Sequence, residues 1–265
     1  MSNLIIYCIT NEKSKLLEQL PYTLVGVGKK KFNRNYIDCK SKINIQKKEK
    51  YYSELTFHYW FWKNILPTIG NEWIGFCQKR RFWIKETSIN EKISKDNIVS
   101  HMVINAEKNW RDYESIITEP IDLTNIKISK LLKRGLKNII FKPSILFNKK
   151  QRNIKLHFDM HHGHGVIDKA IDFLKYEDQI DFKKFIDQNT KFNPHIMFIS
   201  KKKIIDKWFS DLFDWLFKCE EEFGFKNLKN YETGRLYAYL AERYLSFWFQ
   251  KYTKYKVHPW RFINV

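Results

Sequence analysis

The stretch WIGFCQKRRFW, Trp73 to Trp83, decides how the rest of the chain is read. Trp73, Ile74, Gly75 and Phe76 make an apolar run of strand length that passes straight into the cations Lys79, Arg80 and Arg81. An apolar run bounded in this way reads as a buried strand. Open α/β sheets place their ligands at strand ends, and the planar guanidinium fork matches phosphate oxygens two at a time. A nucleotide or sugar phosphate is therefore the first ligand to consider. A solvated strand end in a lysine-rich chain is the competing reading.

Outward from this segment, YYSELTFHYWFWKN (Tyr51–Asn64) is aromatic on nearly all sides and predicts a buried helix capped at Ser53 and ended by Pro67. Leu4 to Ile9 and Tyr22 to Val27 predict two opening strands, the second running into Gly26-x-Gly28. Residues 85 to 137 are polar and weakly periodic, with Ser129 as a capping residue, and read as a mobile insertion. Asn138 to Phe141 reads as another buried strand, followed by the polar loop HFDMHHGHG and a helix over Val166 to Tyr176. A strand at Ile196 to Ile199, an amphipathic helix at about Lys202 to Phe223 and a last helix at about Gly234 to Gln250 complete the pattern. Strands alternating with helices predict an α/β fold with a mixed central sheet flanked by helices, in one domain over residues 1 to 265.

Composition narrows the partners. Forty-eight Lys and Arg against 29 Asp and Glu give a net charge of +19, which favours polyanions: nucleic acid, an anionic lipid surface or phosphorylated substrates. The lysines are scattered, whereas a nucleic-acid arm concentrates them. Cys8, Cys39, Cys77 and Cys219 lie far apart, which suggests neither zinc site nor disulfide framework and fits a reducing cytoplasm. The opening MSNLIIYCIT reads as a first strand and not as a signal peptide, and no window approaches a membrane span. No phosphate-binding glycine loop, dinucleotide fingerprint, nucleophile elbow or Asp-x-Asp is present, which argues against the common NTPase, dehydrogenase and hydrolase classes.

Three constellations carry polar chemistry. His157, Asp159, His161, His162 and His164 crowd into eight residues beside two glycines; metal ligation, polar substrate contact and an ordinary surface loop all fit. RLYAYLAERYLSFWF sets Arg235, Tyr239, Glu242 and Arg243 on an otherwise apolar helix, where a carboxylate has a partner or a task. Glu54, Thr56, His58 and Asn64 lie on the aromatic helix, where capping and core hydrogen bonding explain them. Asp178 and Asp181 read as solvated surface.

In ordered segments the chain resembles the bacterial capsular and exopolysaccharide glycosyltransferases long catalogued as a domain of unknown function, whose characterised relatives include galactofuranosyltransferases. The segments are IIYCIT, the glycines at Gly26 and Gly28, SELTFHYWFWKN, WIGFCQKRRFW, MFIS at Met197–Ser200 and RLYAYLAERYLSFW. The resemblance implies a GT-A-like enzyme that moves a sugar from a nucleotide-diphosphate donor, taken as a UDP-sugar, to a growing surface glycan in the cytoplasm. The family's strand end commonly reads His-Tyr-Arg-Arg, and this chain has Gln78-Lys79-Arg80-Arg81, so no role passes to the missing histidine.

The resemblance and the residues together predict Lys79, Arg80 and Arg81 as ligands of the donor diphosphate, in place of a metal, so that none is required. Asp159 with its histidines leaves ion binding open. Glu242 and, second, Asp159 are the candidate catalytic carboxylates. Thr10, Gly26 and Gly28 border the nucleotide, and His161, His162, Arg235 and Asn64 are candidate substrate contacts. A lipid-linked acceptor and weak attraction to the anionic inner membrane face complete this reading. A nucleic-acid-binding protein and a different phosphosugar enzyme are the alternatives.

Overall fold

A computed structural model describes residues 3 to 264, leaving out Met1, Ser2, Val265 and the side chain of Tyr231. The chain forms two compact units, one built from residues up to Glu119, His195–Asp211 and Trp248 onward, the other from Pro120–Pro194 and Leu212–Phe247. The strands are β1 Leu4–Thr10, β2 Thr23–Gly26, β3 Ile37–Asp38, β4 Trp73–Gln78, β5 Arg81–Trp83, β6 Ser115–Thr118, β7 Ile121–Asp122, β8 Lys191–Phe192, β9 Phe198–Lys201, β10 Tyr255–His258 and β11 Trp260–Phe262.

The first unit is a mixed sheet in the order β10-β6-β9-β4-β1-β2-β3, with β5 pairing β4 and β11. Strands β4, β1, β2 and β3 are parallel, whereas β9 runs antiparallel to both β4 and β6. The expected α/β class and mixed sheet are thus present.

The paired β1 and β4 are covered on both faces, which is why they read as unbroken apolar runs. Ile6, Cys8, Trp73 and Cys77 pack into one buried cluster with Tyr22, Trp83, Met102 and Trp110. Tyr7 and Phe76 meet Phe57 and Phe61 of the Leu55–Asn64 helix, at ring-centroid distances of 5.1 to 6.3 Å. At Gly75 a β-carbon would lie 2.9 Å from both Ile6 and Ile199, so the sheet closes here only over glycine. All four cysteines are buried free thiols.

Several sequence expectations change. The Tyr51–Asn64 helix is two pieces, Glu49–Tyr52 and Leu55–Asn64, because Ser53 sits at φ 51°, and its hydroxyl makes no cap. Residues 85 to 137 contribute β6, wholly buried, and the helix there starts at Ile128, with Ser129 inside it. Asn138 to Phe141 belongs to a helix, Leu136–Phe141, because only Ile139 faces the core while Ile140 and Phe141 are exposed. The helix expected over Val166 to Tyr176 ends at Ile171, and Tyr176 opens another that runs to Gln188. Tyr255–His258 and Trp260–Phe262 form β10 and β11.

The second unit holds the β7–β8 ladder and helices Ile154–His162, Val166–Ile171 and Tyr176–Gln188. HFDMHHGHG is largely helical, capped by Asn153, whose side chain accepts from Leu156 N at 2.9 Å. Asp178 is not solvated: it is fully buried and accepts from the Tyr244 hydroxyl at 2.8 Å.

His58 is fully buried among Phe57, Phe76, Phe198 and Phe209, with no hydrogen bond to either ring nitrogen. Burial lowers its pKa from 6.5 to about 3. The native state therefore refuses a proton that the unfolded chain accepts, so stability is complete above pH 6.5 and is lost as pH falls toward 3. The expected loss from this residue between neutral pH and about pH 5 is about 2 kcal/mol, and urea unfolding of His58→Phe should lack it.

Candidate functional site

Strands β1, β2, β3 and β4 end on one edge of the sheet at Thr10, Gly26, Asp38 and Gln78. The chain leaves β1 for β2 on one side and returns as β4 on the other, so the β1–β4 boundary is where strand order reverses. Ligands of open α/β sheets bind outside the strand ends at such a point. Lys79 and Arg80 stand there as the two-residue turn between β4 and β5, closed by the pairing of Gln78 with Arg81.

The turn is tied down from three directions. Lys79 N donates to Ile9 O at 3.0 Å, continuing the β1–β4 ladder, and Ile263 N, just after β11, donates to Arg80 O at 2.9 Å. The Thr10 hydroxyl donates to Glu12 O at 2.6 Å and accepts from Glu12 N at 3.0 Å, which fixes Glu12 beside the turn. There Glu12 meets Lys79 Nζ at 2.7 Å and Arg80 Nη2 at 3.9 Å. Hydrogen bonding and charge from Lys79 hold the Glu12 carboxyl below its ordinary range. Arg81 Nη1 donates to Gln78 Oε1 at 3.3 Å, and the guanidinium carbon lies 5.8 Å from the Phe262 ring centroid.

Backbone strain gathers at this edge. Arg80 has φ 73°, His195 φ 72°, Ile196 φ 41° and Ser53 φ 51°, four of the five non-glycine residues with positive φ among those described. Such conformations cost about 1–3 kcal/mol each and concentrate at ligand sites. Gln78 Nε2 donates to the Glu54 carboxylate and to His195 O, the latter at 3.3 Å, linking three of the strained segments. Gly28 has φ 86°, which a side chain would resist. Gly26 is needed for packing, since a β-carbon would come within 2.3 Å of the Phe32 ring.

Asn64 is not brought to this crevice. It ends the ten-residue helix that Glu54 precedes, about 15 Å along the axis. Its side chain accepts from Ile43 N at 3.3 Å and donates to Ile43 O at 2.7 Å, pinning a loop.

The remaining candidates belong to the second unit. Arg243, 1% exposed, pairs with Glu242 and lies 3.0 Å from His157 Nδ1, with its guanidinium carbon 4.1 Å from the Phe192 ring centroid. His161 Nδ1 lies 2.7 Å from Arg134 Nη1, and Arg134 also pairs with Glu232. The His162 ring stacks on Tyr239 at 3.7 Å, and its Nδ1 lies 2.9 Å from Glu232 O. Burial lowers the pKa of His161 to about 4 and of His162 to about 3, which keeps both neutral. Burial raises that of Asp159, whose oxygens meet Asn138 Nδ2 at 2.8 Å, Gly165 N at 3.0 Å and His164 Nδ1 at 3.1 Å. Arg235 is half-buried at the start of the Leu236–Tyr252 helix.

Two carboxylates at the sheet edge carry more than their sequence context signalled. Glu12 follows the first strand without any motif, and Glu54 reads as a helix cap. Among the described residues one trio has metal-ligand geometry, Glu86, Glu107 and His258. Lys256 Nζ already lies 2.8 Å from Glu86 and supplies positive charge there.

A family model described as a domain of unknown function, DUF4422, matches residues 5–254. Comparison with the curated proteins finds no match. Among solved structures, the fold is similar to the apo structure of WbbM, a bifunctional glycosyltransferase, with a TM-score of 0.72 and 19% identity across 100% of this chain. This chain spans 45% of that longer one. The likeness is one of fold.

The buried ion pair has a measurable consequence. Glu242→Ala strands the Arg243 charge and is expected to cost about 3 kcal/mol in urea unfolding; adding Arg243→Met should recover part of the loss.

Proposed function

The chain belongs to the DUF4422 family, described as a domain of unknown function, and on that premise we propose that it is a glycosyltransferase using a nucleoside-diphosphate sugar. One observation carries this reading: a strained two-residue turn, Lys79-Arg80, sets two cations at the strand-order reversal between β1 and β4. Likeness of fold to a structure named as a bifunctional glycosyltransferase supports it.

In the reaction the bond between the sugar's anomeric carbon and the donor phosphate breaks, and its electron pair leaves with the nucleoside diphosphate. The anomeric carbon bonds to an acceptor hydroxyl, whose proton passes to a base. Lys79 and Arg80 stabilise the charge that grows on the leaving diphosphate, a role fixed cations perform best where the backbone holds them in advance. Glu12 occupies these cations without ligand and is exchanged for phosphate oxygens when the donor binds. Thr10, Gly26 and Gly28 shape the backbone at the same edge, and Arg81 braces Gln78. No Asp-x-Asp stands at this strand end, and the cations take the place of a metal.

For the base we propose Glu242, with Asp159 second. Glu54, tied to Gln78, is a second carboxylate at the sheet edge besides Glu12. His161, His162 and Arg235 stay proposed as acceptor contacts, whereas Asn64 is taken up in pinning the loop at Ile43. The finer assignment rests on the family resemblance: a UDP-sugar, a hexosyl or galactofuranosyl group, and a lipid-linked capsular or other surface glycan at the cytoplasmic membrane face.

Because Arg80 has φ 73°, Arg80→Gly relieves strain while deleting the cation. The variant should melt at the same temperature or slightly higher, yet bind uridine diphosphate about tenfold or more weakly by calorimetry without added metal. Unchanged affinity in Arg80→Gly and in Lys79→Ala would refute the diphosphate assignment.

A further inference from the structure

The short helices Ile128–Arg134 and Leu136–Phe141, and the segment after them, carry two apolar faces. Leu131, Ile139 and Ile145 point inward and pack with Leu156 and Met160. Ile128, Leu132, Leu136 and Ile140 recur every fourth residue and are exposed, and beyond them Phe141 is 81% and Phe147 86% exposed. Gly135 joins the helices where a β-carbon would lie 2.9 Å from Leu131 O. Six large apolar side chains within twenty residues are thus left in water, a density that marks an interaction surface.

Charge identifies the use. Between Lys127 and Lys150 the sequence holds eight lysines and arginines and no aspartate or glutamate. All eight are exposed, and of them Arg134 is paired with Glu232. Apolar side chains interleaved with lysines on one exposed surface suit an anionic bilayer, where the rings and aliphatic groups enter the acyl boundary and the ammonium groups stay among the headgroups. Nucleic acid would use the cations but has no place for a ladder of isoleucine and leucine.

We infer that residues 127 to 150 are a membrane-contacting surface that seats the second unit on anionic phospholipid. The inference deepens the proposed function by naming the segment that meets the bilayer bearing a lipid-linked acceptor, and rests on that reading for the choice of membrane. Vesicle binding is read without turnover, so each reading can fail separately.

The experiment is sedimentation of the full chain with phosphatidylcholine vesicles containing phosphatidylglycerol, beside pure phosphatidylcholine. Binding is expected only to the anionic vesicles and to weaken as salt is raised. The double variant Phe141→Ser/Phe147→Ser should bind at least about tenfold more weakly with an unchanged melting temperature, because neither ring is buried. Since the four native thiols are buried, a polarity-sensitive dye can be placed on Phe141→Cys; its emission should shift blue on anionic vesicles. Equal binding by the double variant, or no blue shift while the protein is bound, would overturn the inference. So would salt-sensitive binding to a single-stranded oligonucleotide with none to anionic vesicles.

Discussion

The parallel pairing of β1 with β4 is the constraint on which the first unit depends. Its register sets Leu4 opposite Trp73 and Ile9 opposite Gln78, so both strands run their full length through the core and stop together at one edge. Aromatic rings cover one face and a mixed aliphatic and aromatic cluster the other, which leaves no polar position inside either strand. The close approach over Gly75 belongs to the same constraint, because a larger residue would push β9 and β1 away. Hydrogen bonds from Lys79 to Ile9 and from Val27 to Thr10 then carry the pairing one residue past the ends of β4 and β2. The cationic turn is held in place by the sheet beneath it.

The two units handle charge in opposite ways. At the sheet edge Lys79, Arg80 and Glu12 are partly exposed, so water screens their attraction and an incoming anion can exchange with Glu12 at modest cost. In the second unit Arg243 is buried, and its charge is tolerable only because Glu242, His157 and the Phe192 ring surround it. Histidines whose protons are disfavoured by desolvation, His157 and His162, complete that network. A replaceable counter-ion suits exchange for a ligand, whereas an embedded pair holds its carboxylate in one orientation.

The strongly positive balance of the chain has more than one local meaning. Cations at the sheet edge are few and oriented by backbone hydrogen bonds, while those between Lys127 and Lys150 are many, solvated and interleaved with exposed apolar groups. The first arrangement suits the compact phosphate group we propose for it, and the second the extended anionic surface we infer. Net charge alone cannot separate these uses, because it carries no information on which cations share a surface.

The sequence carries in its long apolar patterns β1, β4, the Leu55–Asn64 part of the aromatic helix and the helix Lys202–Phe223, the last of which matches its expected ends. It also determined that Lys79, Arg80 and Arg81 follow a buried strand, since an apolar run ending in charges has few other readings. Tertiary structure alone decided that Arg80 faces the strand-order reversal with Glu12 and that Arg81 turns to Gln78 and Phe262, contacts set by chain segments distant in sequence. It likewise decided that Asp178 is buried on Tyr244, that HFDMHHGHG winds into a helix, and that Phe141 is exposed. Short segments of mixed polarity have nearly equal local preferences for helix, strand and loop. Burial against partners far along the chain, a free energy that no local window contains, chooses among them.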